Sequence, residues 1–251
     1  MGTLSGRVAV VTGGSRGIGH ATAEALLARG ASVVIAGTDG RRLERAAARL
    51  AGPVLPMVAD VRRFADVERL MRAAVDRFGG LDILVNCAGV GAFQPLAEMP
   101  LDAWARVLDT NLTGVFHGCK AAIPHLRTRG GGWIINISSL SAKTPFANGA
   151  AYCASKAALN ALSDALMQEV RHDGIRVACV LPGSVRTAFG REPWPDDPPT
   201  GSEPSQFESR DDEWKLAPED VAEVVVDLLA HPPRSLPSRV EIRPTQPPKK
   251  G

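Results

Sequence analysis

Tyr152 is the only tyrosine in the sequence, and it opens the run Tyr152-Cys153-Ala154-Ser155-Lys156. In a helical pattern, side chains four residues apart lie on one face. An ammonium beside a phenol stabilises the phenolate and lowers a pKa that starts near ~10, which makes a tyrosine usable as a proton donor or acceptor nearer neutrality. Ser139 ends a β-rich run upstream, where its hydroxyl could hold a substrate carbonyl against the tyrosine. Each residue also has a plainer reading: a packed ring beside a surface amine, and a serine in a turn. What points to chemistry is their occurrence downstream of a glycine loop.

That loop follows the apolar run Val8–Thr12 and reads Gly13-Gly14-Ser15-Arg16-Gly17-Ile18-Gly19, with a helix beginning inside it. Glycines let the backbone approach a ligand, and a helix N-terminus offers unpaired N–H groups and a positive dipole end to a phosphate. The plainer reading is a tight strand-to-helix turn. For a dinucleotide, the end of the second strand chooses between NAD and NADP, because an acidic residue there bonds the ribose 2′-hydroxyl. The second strand closes as Ala36-Gly37-Thr38, without charge, and the rival carboxylate, Asp39, comes one or two residues too late. Arg16, Arg41 and Arg42 supply guanidinium groups that suit a 2′-phosphate, and Thr38 could add a hydroxyl. Arg41 and Arg42 read equally well as a solvated helix start. The balance favours NADP(H) over NAD(H).

The elements that must position these residues alternate along the whole chain. Short β-branched runs are expected as strands at 8–12, 32–36, 54–59, 81–85, 133–137, 176–181 and 239–242. Helical patterns fall between them: one from the glycine loop to about Arg29, with Gly30 as a C-terminal cap, then 41–50, 64–78, a long stretch over 104–127, 150–170 and 218–230. This alternation predicts an α/β single-domain Rossmann fold over residues 1–251, a doubly wound parallel sheet of about seven strands with helices on both faces. The proline-rich, acidic segment 190–212 is expected to be a substrate lid or flexible loop, and 244–251 a flexible tail.

Composition narrows the function classes. With 45% apolar residues, 22% charged residues and a net charge of +2, the 251-residue chain reads as a soluble globule with no nucleic-acid partner. No apolar run approaches the ~20 residues of a membrane span, and the N-terminus lacks a secretory pattern. Cysteine appears four times without a C-x-x-C pair, which argues against a zinc site and a disulfide scaffold. A cytoplasmic location without a membrane partner follows as the expectation.

The motifs together resemble the short-chain dehydrogenase/reductase superfamily, over roughly residues 5–230. Thr12 through Gly19 matches the family's T-G-x-x-x-G-x-G pattern. Asn86-Cys87-Ala88-Gly89 is similar to its N-N-A-G motif, with Cys87 in place of the second asparagine. Asn111 in Asn111-Leu112-Thr113-Gly114 corresponds to its helix asparagine. Ser139 precedes Tyr152 by the family's thirteen residues, and Tyr152-x-x-x-Lys156 is its signature. The ending 237–245 resembles that of NADP-dependent 3-hydroxy acid dehydrogenases and carbonyl reductases rather than the commoner family ending.

The resemblance implies roles residue by residue. Tyr152 would be the acid in reduction and the base in oxidation. Lys156 would lower its pKa and bond the nicotinamide ribose, Ser139 would polarise the carbonyl, and Asn111 would support a water relaying protons from Lys156. Gly13, Ser15, Arg16, Gly17, Ile18 and Gly19 would cradle the cofactor phosphates, with Thr38 near the ribose and Asp60 and Val61 near the adenine. Asn86, Ala88 and Gly89 would support the same site. Pro182, Gly183, Val185 and Thr187 resemble the segment that contacts the nicotinamide carboxamide.

The expected activity is an NADP(H)-dependent, reversible hydride transfer between nicotinamide and a ketone or secondary alcohol, with a homotetramer or homodimer as the assembly. Leu140, Ser141, Phe93, Gln94, Phe146, Phe189 and Trp194 are candidate substrate contacts beside Ser139. Two other readings stay open. One is a reductase of carrier-bound 3-oxoacyl chains, for which Arg127 and Arg129 are candidate docking cations. The other is a non-catalytic NADP-binding redox sensor, for which the Tyr–Lys pair would have no use.

Overall fold

Val8–Thr12 (β1), Ser32–Gly37 (β2), Val54–Val58 (β3), Ile83–Asn86 (β4), Gly132–Ile137 (β5), Ile175–Pro182 (β6) and Arg239–Ile242 (β7) form one parallel sheet in the order β3-β2-β1-β4-β5-β6-β7. The computed structural model describes residues 4–190 and 213–247. The helices are Gly17–Ala28 (α1), Gly40–Ala47 (α2), Phe64–Phe78 (α3), Leu101–Leu108 (α4), Gly114–Thr128 (α5), Ala150–Val170 (α6) and Pro218–Leu229 (α7). Parallel strands need crossover connections, so each strand sends the chain through a helix on one face or the other.

The central strands β1, β2, β4, β5 and β6 are apolar on both sides because both sides are covered, whereas the edge strand β7 exposes Arg239 and Glu241. Val8, Val10, Val34, Leu84 and Ile134 pack with Leu70 and Met71 of α3, Leu126 of α5 and Leu159 of α6. The alternate residues Ala9, Val11, Ile35, Val85 and Ile135 pack with Leu26 of α1, Leu43 of α2 and Val225 of α7. This continuous burial explains why the strands read as unbroken β-branched runs rather than alternating ones. The expected fold class is the observed one.

Most boundaries depart from expectation by one or two residues, as at β4, which begins at Ile83 rather than Leu81. Gly30 takes a left-handed φ of 90°, and its N–H closes on the Leu27 carbonyl at 2.9 Å after Arg29 caps α1. The stretch expected as one helix over 104–127 is interrupted. Helix α4 begins earlier, at Leu101, and is separated from α5 by a widened π turn, Asp109–Thr113. Asn111 is buried in that turn, and its contacts explain the widening. The expected lid falls outside the described residues except for Gly190, and the tail is described only to residue 247. Among the described residues, no helix is long and apolar enough to cross a membrane.

Candidate active site

β1 and β4 are neighbours in the sheet, yet the chain leaves β1 towards β2 on one side while β4 leads to β5 on the other. Loops after the two strands therefore diverge and leave a crevice at the carboxyl edge of the sheet, where ligands of open α/β sheets bind. Thr12 holds the crevice together. Its hydroxyl oxygen accepts the Cys87 N–H at 3.0 Å and the Ala88 N–H at 3.1 Å, joining the end of β1 to the loop after β4.

The glycine loop lies against that seam. A Cβ at Gly13 would come within 2.9 Å of the Ala88 backbone, and one at Gly19 within 2.4 Å of the Gly13 carbonyl oxygen, so larger residues would force the loop apart. Gly17 takes a φ of 55°, and its missing Cβ would sit 3.2 Å from Thr187 Cγ2, which brings the segment after β6 onto the loop. Helix α1 starts there from an extended Arg16, with no side-chain cap and no acidic residue in its first turn. Its N-terminal N–H groups and dipole are thus available to an anion, and the cradle fits the phosphates of a dinucleotide.

The end of β2 carries the second determinant. Ser15 Oγ lies 3.4 Å from where a Gly37 Cβ would be, so the glycine loop and the β2 end are adjacent. Asp39 caps α2, accepting the Arg42 N–H at 3.0 Å, with the Arg42 guanidinium 3.6 Å away. The Arg42 N–H in particular holds the Asp39 carboxyl below its ordinary pKa. The rival carboxylate is therefore engaged by its own helix. Asp60, past β3, is likewise engaged: burial acts to raise its pKa, but bonds from the Arg62 side chain and backbone outweigh this and keep it low.

Tyr152 and Lys156 lie one turn apart in the first two turns of α6, as the spacing predicts. The Lys156 ammonium nitrogen is buried, donates to the Ile137 carbonyl at 2.8 Å and lies 5.8 Å from the Tyr152 ring centroid. Ser139 Oγ donates to Ser141 Oγ at 3.0 Å and accepts the Ser141 N–H at 3.1 Å, and its hydroxyl acts to lower the pKa of the Tyr152 phenol beside it. Beneath them, Ser138 Oγ donates to Asn160 Oδ1 at 2.8 Å, fixing the end of β5 against α6 and so setting Ser139 opposite Tyr152.

The expectation that Lys156 lowers the Tyr152 pKa needs correcting. Burial pushes the phenol up to about 12, and the Ser139 hydrogen bond only partly opposes it. Burial likewise brings Lys156 down to about 8. With a hydrogen bond donated to the Ile137 carbonyl and its charge set back from the ring, the amine does not outweigh the desolvation of the phenol. Tyr152 is thus a protonated donor at neutral pH.

The Asn111 side chain is fully engaged by protein groups. Its Oδ1 accepts the Val90 N–H at 2.8 Å, while Nδ2 donates to the Val90 carbonyl at 2.9 Å and to Ser155 Oγ at 3.1 Å. The side chain latches the loop after β4 to α6. A Cβ at Gly89 would lie 3.4 Å from Asn111 Oδ1 and 3.8 Å from Lys156 Nζ, so these three residues meet.

Other predicted residues are placed less directly. The Asn86 side chain turns inward, donating to Asn136 Oδ1 at 2.9 Å, so its side chain faces the core and not the crevice. Val61 packs on Gly114 and its carbonyl meets His117 Nδ1 at 2.9 Å. Val185 bridges Leu216, while Pro182 ends β6 and Gly183 lies under Leu140. Ile18 packs against the core below the loop, and Thr38 is exposed beside Asp39. Phe93 and Phe189 both contact the Tyr152 ring; Trp194 lies outside the described residues. Arg127 and Arg129 are at the opposite end of β5 from Ser139, paired with Asp173 and Asp82, which removes them as docking cations at the site. The Ile137 carbonyl and the Thr12 hydroxyl are functional contacts that the sequence reasoning missed. Thr12 was visible within the glycine motif, whereas a backbone carbonyl leaves no mark in the residue types.

A doubly wound sheet with a glycine cradle at its switch point and a Ser–Tyr–Lys set beside it defines an oxidoreductase of the Rossmann class. The chain belongs to the short-chain dehydrogenase/reductase superfamily: the family model for short chain dehydrogenases matches residues 7–197. An uncharacterized oxidoreductase of Staphylococcus epidermidis is 34% identical over 244 residues, covering 97% of this chain and 100% of that one. Among solved structures, an alcohol dehydrogenase from Thermococcus sibiricus complexed with 5-hydroxy-NADP is 30% identical with a TM-score of 0.82, covering 97% of this chain and 99% of that one. A 3-ketoacyl-(acyl-carrier-protein) reductase from Brucella melitensis complexed with NADH is 28% identical with a TM-score of 0.83 over the same shares.

Proposed function

We propose that the protein is an NADP(H)-dependent reductase of ketones, reversible towards secondary alcohols, in which Tyr152, Ser139, Lys156 and Asn111 act together. The observation that carries this reading is the buried Lys156 amine fixed to the Ile137 carbonyl at the end of β5, which brings Ser139, two residues on, together with Tyr152 of α6. When bound, a reduced nicotinamide supplies a hydride to the substrate carbonyl carbon. Ser139 and Tyr152 bond the carbonyl oxygen and polarise it. The Tyr152 hydroxyl delivers its proton to that oxygen, giving the alcohol, and the phenolate regains a proton from solvent. The Lys156 amine, held by Ile137, is a cation on the side of the ring where the phenolate forms and partly stabilises it, without outweighing the burial that keeps Tyr152 protonated at rest. Asn111 keeps the post-β4 loop against α6 while this happens.

NADP(H) rather than NAD(H) is supported by the uncharged end of β2, by Asp39 being held as a cap, and by Arg16 and Thr38 on the exposed side of the loop. The carrier-protein reading loses its docking cations with Arg127 and Arg129 on the far edge. NADPH and NADH oxidation measured with a panel of ketones tests the reading. Turnover with NADPH at a higher kcat/KM than with NADH is expected; an absence of turnover with both cofactors would reject it.

A further inference from the structure

Ser139 opens a single tight 3₁₀ turn, Leu140–Ala142, from an extended backbone with φ −163° and ψ 155°. Its side-chain oxygen meets Ser141 twice. It accepts the Ser141 N–H at 3.1 Å, and its hydroxyl donates to Ser141 Oγ at 3.0 Å. Among the described residues, Ser139 Oγ is the one hydrogen-bond partner of Ser141 Oγ. Ser139 is buried and Ser141 half-buried, on the loop that carries the carbonyl-binding hydroxyl.

A serine hydroxyl has one proton and two lone pairs. The Ser139 hydroxyl acts to lower the pKa of Tyr152, which a hydroxyl does by donating towards the phenol oxygen. A substrate carbonyl oxygen is likewise polarised only by a donor. The single proton of Ser139 therefore cannot serve Ser141 and the reacting oxygens at once. When it turns to them, the bond across the 3.0 Å gap persists only if the Ser141 hydroxyl rotates and donates back. Ser139 Oγ then accepts from both the N–H and the O–H of Ser141, which polarises its own O–H and holds it towards the substrate. No proton changes owner in this step; two hydroxyls rotate.

The turn holds its shape without that hydroxyl. The Ala142 N–H donates to the Ser139 carbonyl at 3.1 Å, and the Lys143 and Thr144 N–H groups both donate to the Leu140 carbonyl at 2.9 Å. Ser138 is tied to Asn160 of α6, and Lys143 pairs with Glu241 of β7. The Ser141 backbone is thus placed by its neighbours, and its Oγ is left to direct the Ser139 proton. We propose that Ser141 is a positioning residue for the carbonyl reduction read above: by reversing its hydrogen bond to Ser139, it points the Ser139 hydroxyl at the substrate oxygen. The inference rests on that reading of the site. It makes Ser141 act through Ser139 and not as the direct substrate contact expected from the sequence.

The test measures reduction of acetophenone by NADPH, with 2-butanone as a second probe, in the full chain. Wild type is compared with Ser141→Ala, Ser141→Thr, Ser139→Ala and the Ser139→Ala/Ser141→Ala double variant. Ser141→Ala is expected to lower kcat by about tenfold, the scale of one hydrogen bond lost in the transition state, with KM and Tm close to wild type. Ser141→Thr keeps a hydroxyl and is expected to recover most of the rate. In the Ser139→Ala background, Ser141→Ala is expected to have no further effect, because the group it acts through is gone. Three results would overturn the inference and leave the reductase reading standing: a Ser141→Ala enzyme as fast as wild type, a Ser141→Thr enzyme as slow as Ser141→Ala, or a loss of the same size without the Ser139 hydroxyl. Absence of turnover by wild type with NADPH and NADH across the ketone panel would overturn both.

Discussion

The amine of Lys156 and the carbonyl oxygen of Ile137 are 2.8 Å apart, a bond between helix α6 and the last residue of β5. Ser139 lies two residues beyond Ile137, and Tyr152 one helical turn before Lys156. One hydrogen bond thus links the element that carries the proton donor to the element that carries the carbonyl-binding hydroxyl. It also sets the Lys156 charge in a buried position, where desolvation brings its pKa to about 8.

That depression has a signed consequence for stability. Between pH 8 and the ordinary lysine value of 10.5, the unfolded chain keeps a proton that the folded chain has released, so this group stabilises the fold increasingly as pH rises through the window. Below pH 8 both states carry the charge, and the full cost of burying it stands. Lys156→Met removes the group. The stability of the variant relative to wild type is expected to fall by on the order of 3 kcal/mol between pH 7 and pH 10.5, measured by urea unfolding. A difference that is flat or rises with pH would contradict the buried amine.

Thr12→Val should separate the two loops of the crevice. The Cys87 and Ala88 N–H groups lose their acceptor, at a cost of about 1–3 kcal/mol for buried donors left unpaired. Calorimetry is expected to show a lower Tm together with weaker dinucleotide binding. Thr12→Ser keeps the oxygen and should recover most of both.

Asn111→Asp keeps the shape but removes both amide donors and sets a carboxylate against the Val90 carbonyl. The expected result is a loss of about 1–3 kcal/mol in stability and a fall in kcat exceeding the change in KM, because the latched loop and Lys156 share this corner. Steady-state kinetics beside thermal unfolding checks both.

Arg16→Ala is expected to reduce the NADPH-over-NADH ratio of kcat/KM by about tenfold, as befits loss of a guanidinium partner for a phosphate. The exposed position of Arg16 makes an accompanying loss of stability small. An unchanged ratio would remove Arg16 from the ribose site.

The sequence carried the layout of this site further than its energetics. β1, α3, α6 and β7 fall on the residues their patterns predict, because each has a clear local period and termini marked by turn residues. The π turn at Asn111 escaped, since it depends on Val90 and Ser155, which are distant in sequence. The direction of the Tyr152 pKa shift is hidden for a related reason: the pair spacing is local, but the enclosure by Phe93 and Phe189 is assembled by two loops far apart in sequence. The placing of Arg127 and Arg129 was available in principle. Residues that precede a strand of a parallel sheet lie at the amino edge, away from the ligand crevice. The inward turn of Asn86 onto Asn136 depends on the pairing of β4 with β5, which no single strand reveals.

Reduction of acetophenone with NADPH deuterated at the nicotinamide C4, with Tyr152→Phe run in parallel, tests the central claim most directly. Deuterium at the carbinol carbon of the product from wild type, and a rate about 100-fold or more lower in the phenylalanine variant, are the predicted results. Product free of deuterium at that carbon, or a Tyr152→Phe variant as fast as wild type, would contradict it.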